Sequence, residues 1–171
     1  MSQITVLGIG NLLQRDEGFG VHAVRILKTQ AALWEPGSPG EVEYLDGGAL
    51  GLSLLPVVED SCCLLVLDAI DAGQPPGTLI EIEGKQTPLY SLQKLSEHQV
   101  GFQEVLALAR FRQRLPDRLH MIGAQPCDLS TGIGLSPVLQ EILPAVVQRA
   151  AEIVSDWQGV DQSNQLLSLR E

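Results

Sequence analysis

The chain has 171 residues, 44% of them hydrophobic and only 4% aromatic, which suits one domain with an aliphatic core. Its formal net charge of −10 has the wrong sign for gripping a phosphate backbone, so nucleic acid is not expected as a partner, while a cation or a basic protein surface stays open. Cys62, Cys63 and Cys127 are too few, and odd in number, for a disulfide framework, and they read as thiols of a reducing cytoplasm.

Residues 3–9, "QITVLGI", read as a buried strand. The start "MSQITVLGIG" has no basic flank, so no signal peptide is expected. No apolar run approaches the ~20 residues that span a bilayer, so no membrane insertion is expected either. A helix is predicted from about Gly18, with Val21, Val24, Leu27 and Ala31 on one face, ending before the loop "EPGSPG". Residues 41–46, "EVEYLD", alternate as a second strand, and "GGALGLSLLPVVED" predicts a short helix broken near Pro56. Residues 62–67 form a continuous apolar run that ends at Asp68, the pattern of a central parallel strand.

After the loop "DAGQPPG", the alternating "TLIEIE" predicts a short strand near an edge. In "SEHQVGFQEVLALARF", Ser96 and Gln99 form a capping box, and Phe102, Val105, Leu106 and Ala109 give the helix its apolar face. "DRLHMIGAQP" reads as a further strand. The last helix is predicted to start at Pro137 behind a Ser136 cap and to kink or split at Pro144. One domain over residues 1–157 is expected, followed by a polar, unperiodic and mobile tail over 158–171. Strands alternating with helices predict an α/β fold whose mostly parallel sheet is covered on both faces. Ligands of such sheets gather at the carboxyl ends of the strands.

The opening "GIGNLL" has Gly8 and Gly10 but Leu13 where a dinucleotide fingerprint needs its third glycine. Asp16 and Glu17 would also repel a pyrophosphate, which weighs against nucleotide binding. Glu17 follows strand one, Asp46 ends strand two, Asp68 ends strand three, and His98 sits in a first helical turn. If that helix starts on the same sheet edge, Glu17, Asp68 and His98 converge. One imidazole and two carboxylates suit a divalent transition metal with positions left open for substrate. The helix dipole favours the neutral, metal-binding imidazole. Bland readings stand beside this one: Asp46 alone reads better as a structural anchor, Asp16 can simply favour the following helix start or shape the turn beside Glu17, and a lone first-turn histidine is usually solvated. His22 and His120 read as packing or surface residues. No HExxH or GxSxG signature and no nucleophile paired with a histidine is present.

The stretches "LGIGNLLQRDEGFG", "LDGGALGLSLL", "LVLDAIDAGQPPGT", "SEHQVGFQEVLALAR" and "IGAQPCDLSTGIGLSP" resemble, in order and over residues 3–157, the hydrogenase maturation endopeptidases. The resemblance implies a twisted, largely parallel five-stranded sheet between two layers of helices. It implies a nickel-binding triad at Glu17, Asp68 and His98, and removal of a C-terminal extension from a [NiFe] hydrogenase large-subunit precursor after nickel insertion. The nickel is then carried by the substrate, and no tightly bound metal of the protein's own is expected. A cytoplasmic monomer is the expected form. Many members carry Thr after "DGG" where this chain has Ala49. Two rivals remain at this stage: a checkpoint that binds the nickel-loaded precursor without cutting, and a general peptidase with its own metal. "DAGQPPG" and the loop before Ser96 are the expected grips on the extension.

Overall fold

Two apolar runs without alternation become the strands that water never reaches. β1 (Ile4–Ile9) and β3 (Cys63–Ala69) are buried along their whole lengths. β2 (Val42–Gly48) and β4 (Leu79–Glu83) keep partly exposed residues and form the two edges, and β5 (Arg118–Ala124) completes the sheet. The strand order is β2-β1-β3-β5-β4, with β4 antiparallel to β5 and every other pairing parallel. The computed structural model describes residues 3–34, 42–84 and 99–168.

The period of two along each strand divides the core into two halves. Ile4 and Val6 of β1 and Leu65 and Leu67 of β3 face a layer made by α1 (Phe19–Trp34) and α4 (Pro137–Ser168). Leu7, Leu64 and Val66 face the opposite layer, made by α2 (Leu55–Asp60) and α3 (Gln99–Phe111). The fold is therefore the expected three-layer α/β arrangement, with the five-stranded sheet in the middle. β3 is the central strand and β4 an edge, as the two sequence patterns predict.

Differences from expectation are local. Pro56 does not break a helix. It lies in the first turn of α2, behind a 3-10 turn over Gly51–Leu54, where its missing N–H has no helical partner to lose. α4 runs unsplit through Pro144, because Val146, Val147, Ala150, Ile153 and Trp157 dock the following turns against the core and outweigh one lost hydrogen bond. It also continues to Ser168, into the segment over 158–171 that reads as a polar, mobile tail. No proline interrupts that stretch, and a polar sequence propagates a helix already nucleated upstream. Ser136 does cap α4: its Oγ accepts the Leu139 N–H at 3.4 Å. Ser96 and the loop before it lie outside the described residues, and the described part of α3 starts at Gln99.

Candidate active site

The parallel pair β1 and β3 puts two chain exits side by side on one sheet edge. β3 ends through Asp68, which is 2% exposed, and the Asp68 Oδ1 accepts the Ala69 N–H at 2.8 Å. β1 leaves through Gly10, whose φ of +136° is a conformation other residues rarely adopt. A Cβ at Gly10 would also collide with the Glu17 carbonyl oxygen. The glycine thus lets the chain double back so closely that the 3-10 turn Arg15–Gly18 returns Glu17, 4% exposed, to the end of its own strand.

Glu17 and Asp68 line one cavity of about 130 Å³. Its other walls combine Asn11 with apolar Ile9, Leu54 and Phe102. Gly48, Ala49 and Gly51 complete it on the β2 side, so Ala49 presents a methyl group where many members of the resembled family carry a Thr hydroxyl. Gly101 and Phe102 of α3 also line the cavity. His98 lies outside the described residues, immediately ahead of Gln99 in the chain. Among the described residues no three His, Cys, Asp or Glu side chains form a metal set. The two acids are donors of the type a divalent cation takes.

Asp46 is engaged elsewhere. Its Oδ2 accepts Arg25 at 2.7 and 3.0 Å, and its Oδ1 accepts the Gly48 N–H at 3.2 Å. That bond shapes the end of β2, where the Gly48 carbonyl in turn receives the Gly10 N–H at 3.0 Å. His22 and His120 are not on the cavity wall. Partial burial, with Arg25 nearby, holds the His22 imidazole below its ordinary pKa. His120 is buried on β5 with its Nε2 2.9 Å from Glu81. Cys62, Cys63 and Cys127 form no disulfide; Cys63 is buried and Cys127 exposed. "DAGQPPG" gives no residue to the cavity wall. It is folded down by buried Gln125, whose Oε1 accepts the N–H groups of Ala72 and Gln74 at 2.8 and 3.1 Å.

Asp16, expected to shape the turn beside Glu17, does so through distant partners. Asp16 is fully buried and its carboxylate accepts four hydrogen bonds, from Cys127, Asp128 and Ser136. The stretch "RDEG" does not reveal these partners, because they lie 111 to 120 residues further along the chain.

Comparison with known proteins places this geometry in a family. The sequence model of the hydrogenase maturation proteases matches residues 21–153. The chain is 41% identical over 157 residues to the hydrogenase expression/formation protein HupD of Rhizobium leguminosarum bv. viciae, covering 91% of this chain and 75% of that one. It is 35% identical over 153 residues to the hydrogenase 2 maturation protease of Escherichia coli strain K12, covering 88% and 90%. Among solved structures, the hydrogenase maturating endopeptidase HybD from E. coli is similar at a TM-score of 0.79 and 31% identity, covering 90% of this chain and 93% of that one.

Proposed function

The chain belongs to the hydrogenase maturation protease family, and from that premise we propose that it cuts the C-terminal extension from a [NiFe] hydrogenase large-subunit precursor once nickel is in place. The observation that carries the reading is the meeting of Glu17 and Asp68 in one cavity at the carboxyl edge of the sheet, beside the start of α3. In this reading Glu17, Asp68 and His98 recognise the nickel as part of the substrate.

Amide hydrolysis needs an attacking water, a stabilised oxyanion and a proton for the leaving nitrogen. One of the two carboxylates takes the proton of the attacking water and returns it to the leaving amine. The other stays ionised and holds the substrate's metal-bearing end in register. The apolar wall of Ile9, Leu54 and Phe102 keeps bulk water from these groups.

Purified protein mixed with nickel-loaded and with nickel-free precursor tests this reading by intact mass. Loss of one C-terminal peptide from the loaded form alone is the expected result. Binding without loss of mass would overturn it in favour of a non-cutting checkpoint. Cleavage of unrelated peptides by protein that retains metal through dialysis would identify a general peptidase instead.

A further inference from the structure

We propose that Asp16 is a positioning residue: its buried carboxylate latches the turn that carries Glu17 to the chain segment leading into α4. Four donors converge on it. Oδ2 accepts the Cys127 N–H at 2.9 Å, the Asp128 N–H at 2.8 Å and the Ser136 hydroxyl at 2.8 Å, and Oδ1 accepts the Ser136 N–H at 2.7 Å. All four donors are neutral. Arg15, the nearest cation in sequence, pairs with Asp128 instead, Nε to Oδ2 at 3.3 Å. A buried carboxylate held only by amides and a hydroxyl is costly to desolvate, and helix capping alone does not need it, since Ser136 already caps α4.

The latch explains a second feature. Arg15 has φ of +45°, a left-handed backbone that a non-glycine residue keeps only where its surroundings force it. Three main-chain bonds run beside it: Arg15 N–H to the Gly132 carbonyl at 3.1 Å, Gly132 N–H to Leu13 at 2.9 Å, and Asp16 N–H to Asp128 at 3.1 Å. Asp16 closes this seam from inside, and Gly10 packs against the Glu17 carbonyl from the other side. Glu17 is thus clamped between two fixed points, one residue beyond the latch. Asn cannot replace the carboxylate, because it has a single acceptor oxygen and its NH2 would face N–H donors.

The inference rests on the proposed protease reading for its kinetic test and on the fold alone for its structural one. Asp16→Asn, Ser136→Ala and Ser136→Thr are compared with wild type on nickel-loaded precursor, with amide resonances followed by NMR. For Asp16→Asn, kcat is expected to fall about 100-fold, the scale of a small misplacement of a catalytic group, while precursor Kd changes less than about threefold. Ser136→Ala is expected to lose part of the rate and Ser136→Thr to restore it. The Asn11 and Glu17 amides should shift in the first two variants while Val105 and Leu106 in the opposite core stay fixed. Folded Asp16→Asn with wild-type kcat and unmoved Glu17 would overturn the latch. So would a rate loss that follows the unfolded fraction and is not restored by Ser136→Thr. Should Asp16→Asn fail to fold, the Ser136 pair decides by the same criteria. If wild type itself leaves the precursor intact, the protease reading falls and the amide shifts alone decide the latch.

Discussion

Glu17, Asp16 and Gly10 stand within eight residues of each other and carry three different burdens. Glu17 lines the cavity, Asp16 is bonded into the seam with residues 127–136, and Gly10 makes room for the Glu17 carbonyl. The isosteric changes Glu17→Gln and Asp68→Asn are each expected to slow precursor processing by about 100-fold or more, one by removing the group that takes the water's proton and the other by removing the charge that holds the substrate in register. An unchanged far-ultraviolet dichroism spectrum would show that the fold is kept. Gly10→Ala meets both a positive φ and the Glu17 carbonyl, so a loss of about 1–3 kcal/mol in urea unfolding is expected. Asp46→Asn is expected to cost under about 1 kcal/mol in the same experiment, because the pair it breaks with Arg25 is well exposed on both sides.

At the scale of elements, the edge strand β4 is pinned by one acid. Glu81 accepts Arg149 of α4 at 2.7 and 3.0 Å and lies 2.9 Å from His120 of β5. The Arg149 hydrogen bond holds the Glu81 carboxyl below the ordinary value of 4.5, against a smaller opposing effect of burial. A carboxyl depressed in the folded state stabilises fully above its unfolded value and loses that contribution as pH falls through the folded one. The Glu81 contribution is therefore complete above about pH 4.5 and disappears on further acidification. Thermal melts of Glu81→Gln and wild type should differ at pH 7 and converge towards pH 3. A gap that persists at low pH would mean that packing, not charge, ties β4 to α4.

For the whole molecule, Trp157 is the last α4 residue in the core among the described side chains, although the helix itself goes on to Ser168. Deletion of residues 158–171 is accordingly expected to leave the melting temperature and precursor processing near wild type, as a domain spanning 1–157 implies. A fall of more than about 5 °C would show that the last turns of α4 support the fold. Among the described residues no helix is long and apolar enough to cross a membrane.

Local pattern was enough for much of this protein. The unbroken apolar runs at β1 and β3 and the alternation at β4 separate buried strands from an edge, because burial on one or two faces writes its own period into the sequence. Glycine chemistry and the spacing of acids at strand ends pointed to Glu17 and Asp68, since a chain leaving a parallel strand must deliver its next residues to the carboxyl edge. The end of α4 was less legible, because a helix once formed runs on through polar residues that no apolar period marks. Only the tertiary structure showed that Glu17 and Asp68 share one cavity, that Asp46 is taken up by Arg25, and that Asp16 latches a segment more than 100 residues away. Those facts depend on β1 pairing with β3 and on α4 docking beside α1. A hydrogen bond across such a distance is created by packing and leaves no trace in the spacing of its own neighbours.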